Sequence, residues 1–303
     1  MFMKKEFIIS TDSCCDHFKS YLADNKVPCI NVKRILDGKE MGELYDSVKE
    51  FDDFYEEIKK GAMPTTAALN PFELQEFFEG ILADNPEGDL IHLCLSSGLS
   101  VTYANAVKAA EEVNKNQKGR KVHVIDSLIA THGMSMLVDK MIEMRDEGMK
   151  TEDAVKKTIH IRDHQQGWVI MSDLFHLKRG GRISGLAATV GSILGVKPII
   201  CLNREGKLAK ENKMKGAPAA IKYLIGKMED LGVKFGTDFS KQTVYLVRTT
   251  KSKMYDDFKA AVLEKWPETK YVERIVGPII GTHLGGGGIC LLFEGAPRLD
   301  VKA

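Results

Sequence analysis

Three apolar runs in the first half of the chain stop at hydroxyl or carboxylate side chains: Phe7-Ile-Ile-Ser-Thr-Asp-Ser13, Leu93-Cys-Leu-Ser-Ser-Gly98 and Val122-His-Val-Ile-Asp-Ser127. Hydroxyls grouped with the free backbone N–H groups of helix starts suit a small anionic group such as a carboxylate or a phosphate. Asp12, Ser13, Asp126 and Ser127 carry a second reading of equal weight, as caps of the helices that follow them. The stretch Met63-Pro-Thr-Thr-Ala-Ala-Leu-Asn-Pro71 puts Thr65 and Thr66 in a loop ahead of a helix, where two more hydroxyls reach the same place. Gly281-Thr-His-Leu-Gly-Gly-Gly-Gly288 sets His283 in a run of glycines, a composition that lets the chain turn sharply or approach a ligand closely. Nucleotide motifs are absent: no Gly-x-Gly-x-x-Gly opens a helix after a strand, and no Gly-x4-Gly-Lys-Ser/Thr occurs.

Elements that bring such groups together can be read from periodicity. Phe7 to Ile9, Val27 to Val32, Leu90 to Leu95 and Val122 to Ile125 are predicted strands. Helical patterns lie between them, the clearest beginning at Asn70 as N-cap with Pro71 at N1, another running from about Ser100 to Asn116. This alternation predicts βαβ units and a mostly parallel sheet, in which ligands bind outside the carboxyl ends of the strands. A long helical stretch from Leu128 to about Gly148 follows, and Thr151 with Glu152 and Asp153 starts another helix. The pattern then changes. Pro198 to Asn203 and Lys207 to Lys213 predict a hairpin, Thr243 to Val247, Tyr271 to Val276 and Ile289 to Phe293 three further strands, with helices near 217–231 and 252–265. The fold class expected is α/β in two domains: a parallel Rossmann-like domain over 1–160 and a mixed α/β domain over 161–303.

Composition removes several function classes. Of 303 residues, 44% are hydrophobic and 28% charged, the mix of a globular protein, and the formal net charge of +1 supplies no bulk field for nucleic acid. Apolar runs fall far short of the roughly 20 residues of a membrane helix, and Phe7 to Ile9 is too short for a signal-peptide core, so the expected location is cytoplasmic. Six cysteines without a Cys-x-x-Cys give no support to zinc-ribbon or thioredoxin chemistry, and adjacent Cys14 and Cys15 read as small buried thiols. Five of the 13 methionines lie between 134 and 149, a stripe that suits either an adaptable apolar wall or ordinary core.

Taken in order, Asp12-Ser13, Pro64-Thr65-Thr66, Ser96-Ser97-Gly98-Leu99-Ser100 with Thr102-Tyr103, Asp126-Ser127, Lys178-Arg179-Gly180-Gly181-Arg182-Ile183, Lys197-Pro198 and Gly281-Thr-His283 resemble the DegV family over almost the whole chain. The resemblance implies a two-domain α/β protein that holds one long-chain fatty acid in a tunnel between its domains and needs no further cofactor or metal. In some members the carboxyl group is presented to a separate ATP-dependent fatty acid kinase, which makes an acyl-phosphate for phospholipid synthesis. Carried onto this sequence, it implies that Thr66 and Ser97 hold the fatty acid carboxylate, with Ser96 and Thr65 as neighbours and His283 nearby, and that Arg182 or Lys215 faces the acyl-phosphate. Two positions depart from the pattern. Val101 stands where the family usually has glycine, and Lys215 where kinase-partnered members often have arginine, which keeps the charge but not the two-pronged phosphate geometry.

Two other classes are open on residue types alone. A serine hydrolase would use Ser97 as nucleophile, His283 as base and Asp12 or Asp126 as orienter, although the Gly-x-Ser-x-Gly elbow is missing. A zinc enzyme would use His160 and His164, four apart on one helix face.

Overall fold

The computed structural model describes residues 6–41, 44–117, 119–172, 174–183 and 195–301. The chain divides into two compact units, one of residues 1–47 with 64–162, the other of residues 48–63 with 163–303. The second unit therefore takes Val48–Met63 out of the first half of the sequence, and the division is not a single cut.

In the first unit β1 (Phe7–Asp12), β2 (Cys29–Ile30), β6 (Asp89–Cys94) and β7 (Val122–Asp126) form a parallel sheet in the order β2-β1-β6-β7. All six residues of β1 are buried, as a strand covered on both faces requires. From β1 the chain passes to β2 on one side and returns through β6 on the other, so the topological switch point lies between β1 and β6. The Val27–Val32 stretch pairs only at Cys29–Ile30, because Pro28 has no N–H to give and the Val32 N–H donates to Ser13 Oγ at 2.9 Å.

Helices α1 (Lys19–Asp24), α3 (Pro71–Asp84), α4 (Thr102–Asn116), α5 (His132–Asp146) and α6 (Thr151–His164) complete the connections. The start of α3 matches its local code: Asn70 Oδ1 accepts the N–H groups of Phe72 at 2.9 Å and Glu73 at 3.0 Å, and the Asn70 N–H donates to Glu73 at 2.9 Å. Met134, Met141 and Met144 on α5 are buried, so much of the methionine stripe is core of this unit. A small antiparallel sheet was not expected. It joins β4 (Lys39–Met41), β3 (Lys33–Leu36) and β5 (Thr65–Ala67), so Thr65 and Thr66 stand on a strand rather than in a loop.

In the second unit β8 (Gln165–Ile170), β9 (Val196–Leu202), β10 (Leu208–Lys215), β11 (Thr243–Arg248), β12 (Lys270–Ile275) and β13 (Ile289–Glu294) form one mixed sheet, order β10-β9-β8-β13-β11-β12. Only β11 and β12 run parallel. Helices α8 (Ala217–Leu231) and α9 (Lys253–Lys265) cover it, with Leu224, Met228, Phe258 and Val262 in one core with Trp168, Ile199, Leu246 and Phe293. Helix α2 (Val48–Lys59) buries Phe51, Phe54, Tyr55 and Ile58, the i, i+3, i+4, i+7 stripe of a core-facing helix. It is tied into the second unit by Tyr55 Oη donating to the Val276 carbonyl at 2.9 Å and by Asp52 paired with Arg248 at 3.0 Å. Helices α7 (Phe175–Arg179) and α10 (Pro278–Leu284) complete the unit, so the first part of the expected glycine turn is helical and the left-handed positions begin at Gly285. No helix among the described residues is long and apolar enough to cross a membrane.

Candidate functional site

In the first unit the carboxyl ends of β1, β6 and β7 are bound into one assembly by their own polar groups. Asp12 is fully buried and its two carboxylate oxygens accept the N–H groups of Cys14 at 3.0 Å and Leu95 at 2.7 Å, bridging the switch point. Burial pushes its carboxyl above the ordinary value, and the two N–H donors pull it partly back. Asp126 performs the matching task one strand along: Oδ1 accepts from Ser97 N at 3.1 Å and Leu128 N at 3.0 Å. The Ser96 N–H donates to the Ile129 carbonyl at 3.2 Å, and Ser127 Oγ donates to that same carbonyl at 2.9 Å. Leu128 and Thr131 adopt φ of 51° and 52°, so the expected long helix begins only at His132.

This frame sorts the candidate hydroxyls. Ser96 is buried, with its Oγ accepting from the Gly98 N–H at 3.1 Å, whereas Ser97 is exposed and its N–H is held by Asp126, which leaves the hydroxyl available. Thr66 is half-buried opposite Arg34 on β3, and Thr65 is exposed opposite Ile35. The turn after β5 is drawn to the start of α4 by Asn105 Nδ2 donating to the Leu69 carbonyl at 2.8 Å. Val101 sits at φ −74° and needs no glycine, and Ser100 Oγ accepts the Thr102 N–H at 3.2 Å, so the departure from glycine is accommodated. Tyr103 follows Thr102 in the first turn of α4. Burial, and then the Asp126 carboxylate, push its phenol up, placing it beside the loop frame with Arg162, whose Nη1 donates to the Asp126 carbonyl at 3.1 Å.

The hydrolase reading finds no support here. Asp12 and Asp126 hold backbone N–H groups, and among the described residues no histidine is hydrogen-bonded to Ser97. Cys14 is also unsuited as a nucleophile, because burial and the neighbouring Asp12 and Asp16 charges push its thiol well up. His160 is exposed, and His164 lies against Phe235 with ring centroids 6.3 Å apart. The only group of three or more possible metal ligands among the described residues lies elsewhere and includes neither histidine.

In the second unit His283 ends α10, half-buried in a cationic cluster. A Cβ at Gly180 would fall 2.4 Å from His283 Nδ1, and at Gly285 (φ +69°) it would fall 2.3 Å from the His176 ring, so both glycines permit close approach to an imidazole. Arg182 is exposed with its guanidinium donating to the Gly180 carbonyl, and Arg179 donates to the carbonyls of Met63 at 3.5 Å and Thr282 at 3.4 Å. Lys215, exposed at the end of β10, has no described contact with this cluster. Arg179 belongs to the Lys178-Arg179-Gly180-Gly181-Arg182 motif, whereas His176 carries no motif signal beyond the Gly-Gly pair that allows close packing beside it.

Burial first, then the charges of Arg182 and Arg179 and the neighbouring His176, lower the His283 pKa from 6.5 to about 4. In this environment His283 is an uncharged imidazole near neutral pH. The unfolded chain takes up this proton as pH falls through 6.5, while the folded chain refuses it until about 4. Stability is therefore lost on acidification across that window, by about 3 kcal/mol in total. Urea unfolding at pH 7 and pH 4 checks this, with a decline that is shallower by about that amount in His283→Gln. Equal declines would show that folded His283 takes its proton freely.

Over residues 6–294 the chain matches the model of the family described as "Uncharacterised protein, DegV family". A DegV domain-containing protein of Caldanaerobacter subterraneus subsp. tengcongensis is 32% identical over 290 residues, covering 96% of this chain and 99% of the relative. A solved structure described as fatty acid binding of a DegV family protein from Thermus thermophilus is similar with a TM-score of 0.81 at 22% identity, covering 96% of this chain and 99% of the other. DegV of Bacillus subtilis, described as a fatty acid binding protein, gives a TM-score of 0.77 at 24% identity over 97% and 100%. These two likenesses show the fold.

Proposed function

The chain belongs to the DegV family, and from that premise we propose that it binds one long-chain fatty acid, with Thr66 and Ser97 on the carboxylate and Thr65 and Ser96 beside them. The observation that carries this reading is the polar frame at the switch point: Asp12 and Asp126 fix the loops, and Ser97 is left exposed at the end of β6. Hydroxyl and N–H donors hold a carboxylate without a full counter-ion. The tail supplies most of the affinity, at about 0.8 kcal/mol per buried CH₂, or about 11 kcal/mol for fourteen methylenes. That the Thermus and Bacillus proteins are described as binding fatty acid supports the same ligand class here. Mass spectrometry of lipid extracted from the gently purified protein is the test, with about one fatty acid per chain expected. No lipid, together with no saturable uptake of palmitate or oleate, overturns the reading.

The second part of the proposal is that the protein is a carrier, presenting the carboxyl to a separate ATP-dependent fatty acid kinase rather than activating it itself. The absence of a nucleotide motif in the sequence favours this division of labour. In the product complex Arg182 supplies the cation for the acyl-phosphate and neutral His283 an N–H donor, with Lys215 as the alternative cation. With kinase and ATP supplied, His283→Ala and Arg182→Ala are each expected to slow acyl-phosphate formation by about tenfold or more while leaving fatty acid binding nearly unchanged. Equal turnover removes both from the reaction, and ATP consumption by this chain alone overturns the carrier assignment.

A further inference from the structure

Beneath the loop frame of the first unit lies a group of side chains that the fatty acid reading does not use. Strands β1 and β6 pair in parallel with Ser10 opposite His92 and Thr11 opposite Leu93, which brings Asp12 beside Cys94. His92 and Cys94 are two apart on one strand and so point to the same face. Asp12, His92 and Cys94 each have 0% exposure, and each offers one ligand atom within 4.8 Å of the other two.

Two further observations make this more than a polar patch. Ser10 Oγ is 2.9 Å from His92 Nδ1, but His92 Nε2 has no hydrogen-bond partner, and the ring is otherwise walled by Phe77 and Phe78. A buried ring nitrogen without a partner is uncommon in a folded protein, and metal-bound histidines ordinarily keep one hydrogen bond through the other nitrogen. The Cys94 thiol and the Asp12 carboxylate are both wholly buried, with their ligand atoms within 4.8 Å of each other. A metal ion between them would hold sulfur and oxygen roughly 3.5 Å apart at Zn–S and Zn–O distances of about 2.3 and 2.1 Å. Binding would draw the three ligand atoms, now within 4.8 Å of one another, in to about that spacing.

We propose that Asp12, His92 and Cys94 form a buried three-ligand site for a zinc-class divalent ion. Imidazole, thiolate and carboxylate together select such an ion over magnesium or calcium, which prefer all-oxygen shells. The proton balance is simple: His92 binds as the neutral imidazole, Asp12 as the carboxylate, and the Cys94 thiol releases one proton to solvent as its sulfur takes the metal. The ion would brace β1 to β6 directly under the Leu95 N–H that Asp12 holds. This inference is independent of the proposed lipid function.

The test uses the full chain without an affinity tag, unfolded with reductant and chelator and then refolded with cobalt(II), excess metal being removed by gel filtration. Metal analysis is expected to give about one cobalt per chain, with a thiolate-to-cobalt charge-transfer band that disappears on adding zinc. Folded His92→Gln and Cys94→Ser should each retain less than a tenth of that cobalt, while Cys201→Ser, outside the group, retains all of it. Wild type that retains no more cobalt than a sample refolded in chelator overturns the proposal. So does full retention in both variants, which would place the ion on other residues such as His160 and His164. Should either variant fail to fold, the wild-type stoichiometry and the thiolate band decide the matter, since a site without Cys94 gives no such band.

Discussion

Replacing Thr66 and Ser97 together by alanine is expected to weaken fatty acid binding roughly a hundredfold while the chain stays folded. Each hydrogen bond to a charged group is worth about 1.5 to 3 kcal/mol, and water recovers part of the loss when both hydroxyls go, so about 3 kcal/mol is a reasonable sum. Binding survives because burial of the tail is untouched. Folding survives because Thr65 is exposed, Thr66 is half-buried, and Ser97 is fixed through its backbone N–H rather than its side chain. Titration calorimetry with palmitate reads the affinity, and circular dichroism confirms the fold. Single variants should add to the double within about 0.5 kcal/mol if the two hydroxyls act independently, and fall short if they share one carboxylate oxygen. Unchanged affinity in the double variant would mean that the carboxylate sits elsewhere.

Asp12→Ala is expected to destabilise the chain by about 3 to 5 kcal/mol, a loss that no change at the exposed hydroxyls approaches. Its oxygens are buried acceptors for the N–H groups of Cys14 and Leu95, and each donor left without a partner costs about 1 to 3 kcal/mol. Asp12→Asn should cost less, since one oxygen still accepts while the new NH₂ opposes the other N–H. Urea unfolding of the three proteins gives the comparison. A loss below about 1 kcal/mol in Asp12→Ala would show that the loops hold their places without the carboxylate. The same substitution should also lower fatty acid affinity, because Leu95 N is two residues before Ser97.

What was legible in the sequence depended on the range of the forces involved. The Asn70-Pro71-x-Glu73 start of α3, the strands at Phe7, Leu90 and Val122, and the helices near 217 and 252 could be read directly. Their signals are side-chain periodicity and hydrogen bonds that close within a few residues. Gln165–Ile170 could not be read. Gln-Gln-Gly-Trp-Val-Ile has no alternation, yet it forms a wholly buried strand because β9 and β13 pair with its two edges. Likewise Thr65 and Thr66 follow a proline and look like a loop, but β3 supplies backbone partners from some thirty residues away.

By itself the sequence determined an α/β chain in two parts, the residue types available for an anion, and the absence of a nucleotide motif, because these are properties of composition and local order. The tertiary structure decided what those residues do. It turned Asp12 and Asp126 from candidate chemistry into braces, since only strand pairing brings Leu95 and Ser97 N–H groups to their carboxylates. Packing of α2 against Arg248 and Val276 placed Val48–Met63 in the second unit. It also made His283 neutral rather than cationic, because desolvation and the charges of Arg179 and Arg182 act through space, between groups about a hundred residues apart in the chain.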